Sequence, residues 1–221
     1  MTAGVFGDWN LAQPEVEAIA RRAAAQFVPG QHIDNAIVLG AKKVVAVPLG
    51  KHGSDHPAVL YRITLPNGEE FRVLAWNVYV ARHPRDVHTA LMELIDQTQP
   101  HAVALSEAYR CHTILGFVTG YRRLQGALPL GENRDCALLL RNDLKVLRSG
   151  ISRMKQRWVG PKHAKAKGPR RFPHARVQTA SGQVVRLMAA HLPTGGPTSH
   201  RNGAAVRESI ARIVTWLNPN R

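Results

Sequence analysis

Apolar side chains recur along this chain with two different periods, and the switches between them mark out its elements. Residues 4–8 form a short strand-like run, and residues 14–27 follow with Val16, Ile19, Ala20, Ala23 and Phe27 at helical spacing. Pro14 stands where a first helical turn accepts proline, and Pro29-Gly30 is the predicted stop. β-Branched runs at 33–39 and 44–47 predict strands, and 58–65 alternates so that Val59, Tyr61 and Ile63 share one face. Pro66-Asn67-Gly68-Glu69 separates that run from an apolar arm at 71–79. Asn-Gly between two such runs predicts a tight hairpin of type I′, in which both central residues take positive φ. Residues 86–97 read as an amphipathic helix, with Val87, Leu91, Leu94 and Ile95 on its apolar side. Strands follow at 102–105, Cys136–Arg141 and 184–190, and a helix over Gly203–Leu217 runs into Asn218-Pro219. No internal repeat is visible.

Composition narrows the picture to one folded domain. A chain of 221 residues with 44% apolar content suits a single hydrophobic core and leaves little room for a second. Thirty Lys and Arg against 15 Asp and Glu leave a formal charge of +15, so polyanions are the natural partners. Charge alone does not separate nucleases from ribosomal-type or virion binding proteins. No apolar stretch approaches the roughly 20 residues of a membrane helix, and the first residues lack the basic start of a signal peptide. The expectation is therefore no membrane, no obligate protein partner and a cytoplasmic setting, with a viral source compatible with the same composition. Cys111 and Cys136 could in principle pair, but free core thiols are the expectation in a reducing compartment.

Residues with chemical potential stand at the ends of the predicted strands. Asp8 and Asn10 lie two apart in Gly7-Asp8-Trp9-Asn10, a pattern that by itself is common in turns and caps. Ser54-Asp55-His56-Pro57 sets an acid beside a histidine just ahead of an alternating strand, and Asp34 follows His32-Ile33. Asn77 comes after Trp76 within an apolar arm, where a buried amide must find partners. Glu107 follows the run Ala102 to Leu105, at the C-terminal mouth of a predicted strand, and His191 ends another before Leu192-Pro193. Taken singly, these read better as ordinary residues: Glu107 and the Asp55-His56 pair as surface positions, Asn77 as a satisfied core amide, and Asp8 and Asn10 as turn or cap residues.

Together these motifs resemble the endonuclease/exonuclease/phosphatase superfamily of deoxyribonuclease I and exonuclease III, in the cyclic order that family uses but rotated. The family begins with the Trp-Asn strand and ends with Ser-Asp-His; here the Ser-Asp-His segment precedes Trp76-Asn77. The resemblance covers nearly the whole chain as one domain, 1–221, in which 1–65 corresponds to the family's C-terminal part and 70–221 to its N-terminal part. It implies a circularly permuted α+β fold, a four-layer α/β/β/α sandwich of two mixed, mainly antiparallel sheets. The hairpin at Asn67-Gly68 would fuse the family's first and last strands, and Met1 and Arg221 would lie close together. The interval from Asn10 to Asp34 is shorter than the family uses, which implies a reduced substrate-recognition insertion.

The resemblance also implies roles. Glu107 and Asn77 hold Mg²⁺ (or Mn²⁺), with Asp55 completing the metal environment. His56, oriented by Asp34, activates water; Asp8 and Asn10 orient the water and contact the scissile phosphate or the metal, His191 is a second acid/base or phosphate ligand, and all three stabilise the phosphorane, with Glu132 or Asp135 as a carboxylate partner for His191. Phosphodiester hydrolysis needs such a division between a base and positive charge. The stretch 153–176 holds no acid and is rich in Lys and Arg, with Trp158 among them. It reads either as a solvated loop or as a nucleic-acid-contacting arm of Lys165, Lys167, Arg170 and Arg171, with Trp158 stacking on a base; Tyr109 is a further groove candidate. A metal-dependent nuclease acting on DNA, or on RNA, is the implied activity. Two competitors remain: the same fold used on a small phosphorylated molecule or lipid headgroup, and a non-catalytic nucleic-acid-binding module of virion type.

Overall fold

The computed structural model describes residues 1–31, 34–78, 84–108, 111, 115–124, 136–153, 158–159, 166–167, 171–193 and 202–218. Two six-stranded sheets pack face to face. The first is built from β1 (Thr2–Asp8), β2 (Gln26–Gln31), β3 (Asp34–Leu39), β10 (Lys145–Arg153), β13 (Arg171–Gln178) and β14 (Val184–His191), in the order β10-β13-β14-β1-β3-β2. The second is built from β4 (Lys43–Gly50), β5 (Ala58–Thr64), β6 (Glu70–Asn77), β7 (Ala102–Ser106), β8 (Tyr121–Leu124) and β9 (Cys136–Arg141), in the order β4-β5-β6-β7-β9-β8. Two short strands, β11 (Trp158–Val159) and β12 (Ala166–Lys167), pair with each other apart from both sheets.

Each large sheet has one parallel pair at its centre, β1 with β14 and β6 with β7, and antiparallel neighbours elsewhere. Strands covered on both faces need apolar residues at every position rather than alternation. That is why β1 and β7 are buried from end to end. Helices α1 (Gln13–Arg22) and α3 (Gly203–Leu217) cover the first sheet, and their Val16, Ile19, Val206 and Ile213 belong to the same buried cluster as its strands. Helix α2 (Pro84–Thr98) covers the second sheet, packing Val87, Leu91, Leu94 and Ile95 on Trp76, Leu105 and Leu139. The result is the expected four-layer α/β/β/α sandwich.

Three local expectations are corrected. Helix α1 stops at Arg22 instead of running to Phe27, because Ala24 turns left-handed at φ 52° and the Ala25 and Ala24 amides close on the Ala20 and Arg21 carbonyls. The freed chain becomes β2, where Phe27 pairs with Ile37 and the proline at 29 falls in a bulge of this edge strand. The hairpin forms where predicted, but only Gly68 has positive φ, at 94°. The Gly68 amide donates to the Leu65 carbonyl and the Leu65 amide to the Glu69 carbonyl, so the loop turns through Pro66-Asn67, with φ fixed by the proline ring. The basic stretch 153–176 is not all loop: its last residues enter β13, where Phe172 and Ala175 are buried. Strands β2, β8 and β10 have no clear pattern in the sequence; each lies at a sheet edge and is held by its neighbour rather than by its own composition. Both cysteines are free and buried.

Gly7 has φ 140°, and a Cβ there would sit 2.0 Å from the Ala190 carbonyl oxygen. β1 and β14 approach this closely just before Asp8 and His191. Gly7→Ala is therefore expected to cost about 3 kcal/mol or more, read as a lowered urea midpoint with little change in slope.

Candidate active site

Four strand ends meet at one edge of the sandwich. The central parallel pairs end there: β1 in Asp8, β14 in His191, β6 in Asn77, and β7 in Ser106 with Glu107 next. The C-terminal mouth of parallel strands is where open α/β sheets build their sites. Within the first sheet Asp8 is level with His191 on one side and Asp34 on the other, so all three side chains share a face.

The second sheet brings Asn77 and Glu107 up to them. Asn77 is fully buried, and its Nδ2 donates to Asp8 Oδ2 at 2.8 Å and to Glu107 Oε1 at 3.4 Å. His191 Nε2 lies 3.5 Å from Asp8 Oδ2 and 3.8 Å from Glu107 Oε1. Among the described residues Asp8 and Glu107 are carboxylates that His191 meets; Glu132 and Asp135 lie outside the described residues, as do Tyr109, Lys165 and Arg170. One ligand atom from each of Asp8, Glu107 and His191 falls within 4.8 Å of the others. Two hard carboxylate oxygens beside an imidazole fit Mn²⁺, and the carboxylates with water fit Mg²⁺. Glu107 holds φ 55°, a conformation unusual for a side-chain-bearing residue and common where a site fixes its geometry.

Asn10, with φ 48°, turns back so that its amide donates to Asp8 Oδ1 at 2.9 Å and its Nδ2 to the Leu192 carbonyl at 2.8 Å. This ties the ends of β1 and β14 together beyond their last pair. Burial pushes the Asp8 carboxyl above its ordinary range and Asp34 adds to the rise, while His191, the Asn10 amide and His56 oppose it.

The second group is Asp34 with His56. His56 Nδ1 sits 2.6 Å from Asp34 Oδ2, and these two with Asp8 form a further cluster within 4.8 Å. Asp34 is 3% exposed, and its Oδ1 has no hydrogen-bond partner among the described residues. Asp55 projects outward, with Oδ1 3.7 Å from His56 Nε2, and belongs to neither cluster.

Partial burial lowers the basicity of His56, but the Asp34 hydrogen bond and the charges of Asp34, Asp8 and Asp55 outweigh it and raise its pKa to about 9. A folded pKa above the unfolded one means this pair stabilises the fold fully below the ordinary histidine value near 6.5. That contribution fades as pH rises through about 9. In metal-free protein the His56 ring is accordingly expected to titrate near 9 by NMR, and Asp34→Asn to bring it down by about two units. An unshifted midpoint in the variant would break this assignment.

The motifs contain three further residues whose supporting contacts the sequence does not state. Ser54 Oγ donates to the Asn77 carbonyl at 2.7 Å and accepts from the His56 amide at 3.1 Å, joining the two groups. Trp76 Nε1 donates to the His56 carbonyl at 3.2 Å, and Trp9 Nε1 to the Asn35 carbonyl at 2.9 Å. The tryptophans do carry a signal in the sequence: one that adjoins a site residue in an apolar strand must place its N–H somewhere.

Among the basic residues, Arg171 begins β13. Because His174 pairs with Met188, that end of β13 runs toward the His191 end of β14. Trp158 and Lys167 pair with each other through the backbone in β11 and β12.

No protein-family model matches this sequence, and no curated protein matches it. Solved structures of similar shape include a humanized D. rerio TDP2, 21% identical over 67% of this chain and 56% of its own, with a TM-score of 0.47. D. rerio TDP2 complexed with a single strand DNA product is also 21% identical, over 67% of this chain and 54% of that one, with a TM-score of 0.47. The Bacteroides thetaiotaomicron mannosyl-6-phosphatase Bt3783 is 12% identical, over 67% and 60%, with a TM-score of 0.47. This chain spans between half and two thirds of those proteins' lengths, and at such identities the likeness says nothing about substrate.

Proposed function

We propose that this chain is a metal-dependent phosphodiesterase of the endonuclease/exonuclease/phosphatase type that hydrolyses nucleic acid, DNA in the first place. The observation that carries the reading is the convergence of Asp8, Glu107 and His191 within 4.8 Å, bridged by Asn77 and set beside the Asp34–His56 pair. Mg²⁺ or Mn²⁺, when bound by Glu107 and Asp8 with His191 or Asn77 alongside, supplies charge that polarises a phosphate. The net charge of +15 and the placement of Arg171 favour a polyanionic substrate over a small one.

In this reading Asp34 fixes the His56 tautomer by occupying Nδ1, which leaves Nε2 to exchange a proton with water. Asn10 and Asn77 lock the Asp8 carboxylate through one oxygen each, so its orientation is set before substrate arrives. Burial favours a proton on Asp8, while His56, with a pKa near 9, is held protonated at neutral pH. That pairing favours a second assignment, in which Glu107 and His191 would hold the ion, Asp8 is left free to accept the proton from water and the His56 imidazolium stabilises charge on the phosphorane.

The rotated motif order follows if the chain is a circular permutant of that family. The β5–β6 hairpin makes the segments 1–65 and 70–221 continuous, and one core holds Phe6, Ile37 and Tyr61 from the first with Leu138, Leu187 and Ile213 from the second. Met1 and Trp216 line one cavity, although Arg221 itself lies outside the described residues.

Competition decides the substrate class. Turnover of a chromogenic phosphodiester in Mn²⁺ should be inhibited by duplex DNA, and less so as salt rises. Unaffected turnover at saturating DNA would move the assignment to a small phosphorylated substrate, and salt-steep DNA binding without turnover to a binding module.

A further inference from the structure

On the far side of the first sheet, β10, β13 and β14 set three arginines in a row. Arg148 is paired with Arg176, and Arg176 with Arg186. Neighbouring strands lie about 4.8 Å apart, and like charges directly opposite one another destabilise a sheet. Among the described residues no carboxylate side chain is paired with them: the cavity of about 380 Å³ that the three arginines line is shared with His174 and Trp216 and has no acidic residue among its described lining residues. Arg186 lies over the Trp216 ring of α3, its guanidinium carbon 4.4 Å from the centroid, and its Nη1 is buried with no hydrogen-bond partner among the described residues. Burial lowers the His174 pKa, and the charges of Arg186 and Arg148 lower it further, as expected beside uncompensated positive charge.

This cavity is separate from the candidate active site. Arg186 precedes His191 on β14 by an odd number of residues, so the two face opposite sides of the sheet, about 16 Å apart along the strand.

We propose that the cavity binds a phosphate-bearing anion, with forked guanidinium contacts from Arg176 and Arg186 and Trp216 bracing the Arg186 plane. Guanidinium groups match phosphate oxygens two at a time, and a bound anion would offset the repulsion along the row. The phosphate could belong to a free polyphosphate or to a nucleic-acid backbone, and the chemistry of the pocket is the same for both.

The test uses the full chain in chelator, which suppresses metal-mediated phosphate binding at the other site. Inorganic pyrophosphate and a single-stranded oligonucleotide without terminal phosphates are titrated separately by calorimetry at constant ionic strength. At least one probe should bind, and Arg176→Gln and Arg186→Lys should each weaken it by about tenfold or more. Pyrophosphate binding would identify a free polyphosphate as the source, and binding of the oligonucleotide alone the backbone. Arg176 is exposed, so Arg176→Gln should fold, and its thermal midpoint without phosphate should equal or exceed that of the wild type because a repulsion has been removed. Affinities unchanged in both variants, or no binding of either probe, would overturn the proposal.

Discussion

Glu107→Gln is expected to lower metal-dependent turnover by about a thousandfold or more while leaving the fold intact. The substitution keeps the side chain's shape, so the left-handed backbone at φ 55° is undisturbed and the amide oxygen can still accept from Asn77 Nδ2. What is lost is one of the two carboxylate charges that converge with His191. Without metal the variant should melt at or above the wild-type temperature, since Asp8 and Glu107 no longer crowd two negative charges together. In Mn²⁺ the order should reverse, because only the wild type gains binding free energy from the ion. Calorimetric melts with and without Mn²⁺ read this crossover independently of any substrate. Equal stabilisation of both proteins would remove Glu107 from the metal site.

His56→Ala is expected to reduce kcat by about a thousandfold with little change in KM, the scale of a lost general acid or base. The backbone bonds of residue 56 to Ser54 and Trp76 survive truncation, but Asp34 then keeps a buried carboxylate without its imidazole. A stability loss of about 2 kcal/mol should accompany the kinetic effect. The pH profile distinguishes the two assignments of the proton. If His56 removes the proton from water, wild-type kcat/KM climbs with pH toward a value at or below about 9, the metal-free pKa of the ring, and that limb disappears in the variant. If the imidazolium acts as the charge stabiliser, wild-type activity falls as pH passes that pKa, and the ascending limb belongs to Asp8.

Much of this site is legible at the strand ends of the sequence. Asp8, Asn77, Glu107 and His191 each close an apolar run, and parallel strands packed side by side necessarily bring their C-terminal ends to one edge. The Asp34–His56 pair is legible only through the family resemblance, because 22 residues and an intervening strand separate the two. Ser54 shows the limit of motif reading: its hydroxyl joins Asn77 to His56 across the packed elements, and no local pattern encodes that contact.

The fold is legible where periodicity is strong and less so where tertiary pairing decides. The Gly203–Leu217 helix and the Cys136–Arg141 strand stand where their patterns put them. Periodicity overextends helix α1 because Ala23, Ala24 and Ala25 favour helix, yet pairing of Phe27 with Ile37 and Val28 with Ala36 outweighs that local preference. Strand β8, Tyr121-Arg122-Arg123-Leu124, has no apolar alternation to betray it and exists through its ladder to β9.

The central claim is metal-dependent phosphodiester hydrolysis by the Asp8–Glu107–His191 centre with its Asp34–His56 pair, and nicking of supercoiled plasmid tests it most directly. Purified protein in Mg²⁺ and in Mn²⁺ should convert supercoiled to relaxed plasmid, chelator should stop the reaction, and Glu107→Gln and His56→Ala should leave almost none of it. Undiminished nicking by both variants, or DNA binding by the wild type without any nicking in either metal, would contradict the account.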